Sequence, residues 1–173
     1  MTFEVSEFHS PIGTLVLAVR DSALCALVFA EGWAPHRVRL ARRFGALAFR
    51  RAPDPAGVSG RLAAYFAGDL HALDGLVVDA GGTPFQRRVW AALRRIPPGE
   101  TVSYQTLARR IGSPAAVRAV GAANGANPVG IVVPCHRVIG ADGRLTGYAG
   151  GLARKRWLLA HERAGAAEQR SLL

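Results

Sequence analysis

Cysteine is scarce in this 173-residue chain: Cys25 and Cys135 are the two present, too few for a disulfide framework. Lysine is scarcer still, since Lys155 stands alone among 22 basic residues and the other 21 are arginine. Acids number 12 against those 22, leaving a formal charge of +10. No apolar run approaches the roughly 20 residues of a membrane helix. The opening segment carries Glu4 and Glu7 where a secretory leader has a basic region. A cytoplasmic protein with no membrane partner is therefore expected. The histidines His9, His36, His71, His136 and His161 show no ligand-like spacing with one another or with the two thiols, so no metal is expected. Glycine-rich "GYAGG" lacks the strand, helix and lysine of a phosphate loop, and nothing else implies a cofactor.

What is present is charge, and it is unevenly placed. Residues 1–75 hold 8 arginines and 7 acids, whereas residues 76–173 hold 14 basic and 5 acidic residues. The second half is thus the candidate polyanion-binding half. A free use of Arg and Ala across the whole chain is the competing explanation, although it does not choose one half.

The first 30 residues read as three antiparallel strands, "TFEVSEF", "TLVLAV" and "ALCALVF", separated by turn signals. A helix is expected over residues 35–49 from the spacing of Val38, Leu40, Ala41, Phe44 and Leu47, and another over residues 59–69. Pro53 and Pro55 put a loop between them, and "GLVVDA", residues 75–80, reads as a short strand. Residues 1–80 form a small α/β domain on this reading, with Gly81 and Gly82 at its border.

The second part is helical. Thr83 to Gln86 is a capping box with proline at the first helical position, followed by Phe85, Val89, Trp90, Leu93 and Ile96 on one stripe. Ser103 caps a short helix that Gly112 ends, and Ser113-Pro114 begins the next. Two short helices around a glycine turn are the pattern of a helix-turn-helix. The second presents Ala115, Ala116, Ala119, Gly121, Ala122 and Ala123 around Arg118, a smooth face with one projecting cation. Tight helix packing with a solvated Arg118 accounts for the same composition.

Cys135 ends the β-branched run "GIVVP", read as a buried strand or extended segment, where a thiol is by default an inert hydrophobe. His136 and Arg137 nevertheless follow it at once, and a thiol attacks as thiolate, favoured beside a base or cation. In an extended segment residues 135 and 136 face opposite ways, so contact between sulfur and imidazole needs a bridging water or a bent backbone. Glu162 is a candidate to orient the imidazole. Cys25, flanked by apolar residues, is assigned to the core.

Together "SYQTLA", "AVRAVGAAN", "NPVGIVVPCHRV", "GYAGG" and "KRWLLAHE" resemble the O6-alkylguanine-DNA alkyltransferases, also called methylated-DNA–protein-cysteine methyltransferases. The resemblance runs in order from about Thr83 to Glu162 and is weak before it. It implies an α+β fold, with a small ribonuclease H-like N-terminal α/β domain (residues 1–80), a winged helix-turn-helix domain for DNA binding and alkyl transfer (residues 83–165) and a tail (residues 166–173). It implies irreversible, stoichiometric transfer of an alkyl group from O6 of guanine, and from O4 of thymine, in a flipped-out base to Cys135, with no cofactor. The partner implied is double-stranded DNA bound by a monomer, with cooperativity along the DNA left open.

In the roles the resemblance implies, His136 is a water-mediated base, Glu162 holds its tautomer, and Asn127 stabilises the turn before the active segment. Tyr104 presses on a phosphate and donates to the purine, while Arg118 fills the gap in the base stack. Ser103, Ala119, Ala123 and Arg137 are further DNA contacts, and Val138, Tyr148, Ala149 and Gly150 line the base pocket. Ala149 departs from the serine of some relatives and leaves only a backbone N–H for O6, and Ala126 replaces a glycine or polar residue. The motifs also fit a DNA-binding regulator with a structural or redox-sensing Cys135, or a cysteine hydrolase with a Cys-His-Glu triad, which the basic second half disfavours.

Overall fold

A computed structural model describes residues 1–172 and divides into two compact units, Met1–Ala80 with Pro128–Val132, and Gly81–Asn127 with Val133–Leu173. Among the described residues the fold is mixed α and β, with a four-stranded sheet, a two-stranded sheet and six α-helices. Among the described residues no helix is long and apolar enough to cross a membrane.

In the first unit β1 (Thr2–Ser10), β2 (Gly13–Arg20) and β3 (Ala23–Phe29) form the antiparallel meander read from the sequence. Asp21 and Ser22 both have positive φ, the conformation a two-residue hairpin turn demands. Leu15 through Val19 are all buried, because β2 lies inside the sheet order β3-β2-β1-β4 and is covered on both faces. Cys25 is 1% exposed and packs in the core with Phe3, Ala18, Ala26 and Leu40.

The helix expected over residues 35–49 is shorter and begins earlier, as α1 (Trp33–Phe44). Gly45 breaks it at φ 79, and residues 48–51 become β4 (Ala48–Arg51), parallel to β1 with Phe3 opposite Phe49. Phe3, packed against Phe44 and Phe49 at ring distances of 5.3 and 6.0 Å, binds helix and strand to one core, and that long-range pairing overrides the local period. Pro55–Gly57 form a single 3-10 turn leading into α2 (Val58–Phe66). The strand expected at residues 75–80 is reduced to one bridge, Leu24 to Val78, since only Leu24 offers both its N–H and its carbonyl to that segment. Leu27 likewise pairs with Pro128 and Gly130, so a short segment from late in the chain joins this unit.

In the second unit the capping box forms as expected: Thr83 Oγ1 accepts from Gln86 N at 3.1 Å and Gln86 Oε1 from Thr83 N at 2.9 Å. It opens α3 (Pro84–Leu93), whose Val89, Trp90 and Leu93, with Ile96 just beyond, are buried. The two-residue β5 (Val102–Ser103) leads into α4 (Tyr104–Arg110), capped by Ser103 and stopped by Gly112 at φ 74. The next helix, α5 (Val117–Gly125), starts three residues later than Pro114 because Ser113 to Ala116 close a separate turn through Ala116 N to Ser113 O. The two-residue β6 (Val138–Ile139) pairs in parallel with β5, and α6 (Leu152–Ser171) closes the unit. Of the expected tail 166–173, residues 166–171 continue α6, since Ala166 to Arg170 contain no helix breaker. Leu173 lies outside the described residues.

Candidate functional site

Cys135 does not sit in a strand. The run before it is buried but irregular, with Ile131 at φ 68, and Cys135–Arg137 form one 3-10 turn. Pairing of residues 128–130 with Leu27 exhausts the regular ladder, and the chain then turns through Val132 N to Gly130 O (2.7 Å) and Cys135 N to Val133 O (2.8 Å). Opposite-face geometry therefore does not apply to Cys135 and His136.

Two asparagines hold this turn. Asn127 Nδ2 donates to Val133 O at 2.8 Å, and its amide also reaches the Cys135 thiol. Asn124, buried, donates from Nδ2 to Cys135 O at 3.3 Å. Burial pushes the Cys135 thiol up, while Asn127, the Lys155 ammonium and the N–H groups of Cys135 and His136 pull it down. A thiol is thus stored, with thiolate-stabilising groups already around it.

His136 is fully buried, with Nε2 2.8 Å from Glu162 Oε1 on α6. Burial pushes the Glu162 carboxyl up, yet His136 and two hydrogen bonds from Arg137 hold it well below the carboxylate range. An ionised carboxylate only accepts, so Nε2 carries the hydrogen. Burial lowers the pKa of the imidazole against the pull of Glu162, which keeps it neutral. Nδ1 then bears the lone pair, and it is buried with no partner.

Arg137, expected as a DNA contact, is instead internal: 7% exposed, it donates from Nε to Glu162 Oε2 at 2.9 Å, from Nη2 to Oε1 at 2.8 Å and from Nη1 to Ile96 O at 2.6 Å. Its planar fork matches a carboxylate that the turn brings alongside, and a bidentate buried pair excludes a phosphate. Ala123, also expected on the DNA face, is 3% exposed because its carbonyl accepts from Trp90 Nε1 at 2.8 Å, drawing that side of α5 onto α3. Arg118 and Ala119 are exposed on α5. Ser103, half-buried, is engaged in capping, its Oγ accepting from Thr106 N at 3.0 Å.

Tyr104 starts α4 half-buried, its ring close to Gly121, and its hydroxyl accepts from Thr146 Oγ1 at 3.1 Å. Val138 is fully buried opposite Val102, Ala149 is exposed and Gly150 half-buried. Burial drives the Tyr148 hydroxyl well above its ordinary value, with Cys135 adding to the rise. The fold thus gathers Cys135, His136, Glu162, Asn127 and Tyr148. Sequence reasoning missed Asn124, Thr146 and above all Lys155, whose Nζ donates to Val138 O and Thr146 O at 2.7 Å each. Its being the sole lysine was the available signal. Among the described residues no group of three or more His, Cys, Asp or Glu side chains could hold a metal ion.

Residues 84–164 match the family model of the 6-O-methylguanine DNA methyltransferase DNA binding domain. A methylated-DNA–protein-cysteine methyltransferase of Salmonella typhimurium is 63% identical over 111 residues, spanning 64% of this chain and 65% of that protein, just under two thirds of its length. One from Mycolicibacterium paratuberculosis is 52% identical over 161 residues, spanning 92% of each chain. Among solved structures, the Mycobacterium tuberculosis O6-methylguanine methyltransferase aligns with a TM-score of 0.78 at 46% identity, over 94% of this chain and 93% of that one. Mycobacterium tuberculosis OGT in complex with DNA aligns with a TM-score of 0.79 at 44% identity, over 95% and 94%.

Proposed function

The chain belongs to the methylated-DNA–protein-cysteine methyltransferase family, and from that premise we propose that it repairs alkylated DNA in the cytoplasm by direct reversal. It takes one alkyl group from O6 of guanine, or O4 of thymine, onto Cys135 and is spent. The observation that carries this reading is the buried triad: a thiol beside a neutral imidazole whose Nε2–H is committed to Glu162 and whose Nδ1 is unpartnered.

The chemistry balances without a cofactor. His136 Nδ1, which has no hydrogen bond to the thiol, takes the Cys135 proton through a bridging water, and Glu162 stabilises the imidazolium that results. The Asn127 amide and the Lys155 ammonium stabilise the thiolate against its burial. Sγ then attacks the alkyl carbon, the S–C bond forms as C–O6 breaks, and the electron pair leaves with the purine. Tyr104 donates to that purine, so the departing base does not bear a full anionic charge. The product is a thioether with no proton to give and no leaving group as good as the one displaced. A single turnover follows.

The base must leave the stack to meet a buried sulfur. The α4–α5 pair serves as the helix-turn-helix of a winged second domain, residues 83–165, with residues 1–80 as a ribonuclease H-like first domain. Ala119 lets the duplex approach the exposed side of α5, and Arg118 occupies the vacated position. Val138, Tyr148, Ala149 and Gly150 shape the pocket, and Ser103 sets the start of α4.

Incubation of the full chain with duplex containing O6-methylguanine tests the reading. The Cys135 peptide gains the mass of one methylene, once per protein molecule, and Cys135→Ala binds the duplex without that gain. DNA binding without a mass gain in the unaltered chain overturns it.

A further inference from the structure

Two side chains next to the triad have no part in the chemistry above beyond electrostatics: Lys155 and Thr146. The chain writes every other basic residue as arginine, so its one lysine marks a demand of the place. Lys155 is fully buried, and its Nζ donates to Val138 O and Thr146 O, both at 2.7 Å. These carbonyls stand at the two ends of one loop. A compact ammonium has donors pointing to both, whereas a planar guanidinium fork fits a flat pair of acceptors on one partner. Within the loop Gly140 N donates to Arg144 O and Gly143 N to Gly140 O, each at 2.9 Å, so the span between the pinned ends is itself a tight turn.

Thr146 is thereby brought to a fixed position. Its Oγ1 donates to the hydroxyl oxygen of Tyr104, 42 residues away in the chain, at 3.1 Å. A tyrosine hydroxyl has one hydrogen and two acceptor lobes. With one lobe taken by Thr146, the hydrogen is left to point at a different partner.

We propose that Thr146 is a positioning residue for Tyr104: its hydroxyl, anchored through the buried Lys155, orients the Tyr104 O–H as a donor to the departing purine. The proposal rests on the assignment of Tyr104 to the purine made above. A donor that is aimed before reaction costs no reorganisation as charge develops on the base. Thr146 is exposed, so removing its hydroxyl leaves the core and the Lys155 contact, which uses its carbonyl, in place.

A double-mutant cycle on the full chain tests this. Single-turnover rate constants for methyl transfer from duplex O6-methylguanine are read by mass on Cys135 for Thr146→Val, Thr146→Ser, Tyr104→Phe and the Val/Phe double variant, together with affinity for unmodified duplex. Loss of one hydrogen bond of ordinary strength predicts about a five-fold slower transfer for Thr146→Val. Thr146→Ser keeps the rate, affinity for unmodified duplex is unchanged by Thr146→Val, and the double variant is no slower than Tyr104→Phe alone. A Thr146→Val loss that recurs undiminished in the Tyr104→Phe background overturns the proposal, because the effect is then structural. So does a Thr146→Val variant at the unaltered rate when Tyr104→Phe is slow, an outcome that leaves the role of Tyr104 standing. Tyr104→Phe at the unaltered rate removes that role and the proposal with it.

Discussion

His136 and Glu162 lie 26 residues apart in the chain and 2.8 Å apart in space, with neither reached by solvent. The carboxylate they share with Arg137 is the only acid buried among the described residues, and its two oxygens divide three hydrogen bonds between a base and a cation. One oxygen, Oε1, serves both the imidazole and the guanidinium, so the base cannot move without disturbing the ion pair. The pair is therefore a mount for the base as much as a source of stability.

Replacing Arg137 with methionine removes two hydrogen bonds and the cation from the buried Glu162 carboxylate. A broken buried pair of this kind costs about 3–5 kcal/mol. Urea unfolding of Arg137→Met is expected to show a loss of that order. The slope of log affinity for DNA against log salt, measured near neutral pH where the variant remains folded, is expected to be unchanged, since no phosphate contact is removed. A reduced slope would return Arg137 to the DNA-binding surface.

Stability is expected to fall with acid in two stages. Burial holds the folded-state pKa of His136 below its ordinary value of 6.5, so the unfolded chain binds that proton more readily. The contribution is fully present above about pH 6.5 and is lost as pH falls below it, by up to about 1.4 kcal/mol per pH unit for one proton. Glu162 is also held below its ordinary value of 4.5, so its contribution is present above that pH and is lost as acid approaches its folded value. Cys135 has the opposite sign: raised above 9.0, it contributes stability that is lost as pH rises through its folded value. Urea midpoints from about pH 2 to about pH 10 read all three. A midpoint that stays level between pH 7.5 and 5.5 would show that His136 is not held neutral.

Arg118→Ala is expected to slow transfer from duplex by an order of magnitude or more while leaving the reaction with free O6-alkylguanine base unchanged. The exposed Arg118 has no role in the buried triad, and a free base needs no extrusion. Parallel single-turnover rates on the two substrates check it. Equal slowing on both would place Arg118 in the support of the pocket.

Much of the secondary structure was legible because local rules decide it. The three-strand start is set by period-two apolar residues and short turns, and the caps at Thr83, Ser103 and Gly112 by side chains or φ values that act within four residues. Failures came where a distant partner competed. Residues 48 and 49 read as the end of a helix until β1 pairs with them, and "GIVVP" reads as a buried strand or extended segment although it has no regular ladder beyond Gly130.

The site divides along the same line. A nucleophile, an adjacent base and an acid on a terminal helix could be named from residue types and motif order, since their chemistry belongs to the side chains. Which nitrogen of His136 is free, that Arg137 faces the core, and that Lys155 ties a loop that Thr146 links to Tyr104 are consequences of burial and of contacts across 9 to 42 residues. The sequence by itself determined which groups are available to react. Only the tertiary structure decided their protonation and direction, because desolvation and hydrogen-bond geometry arise when distant segments are packed together.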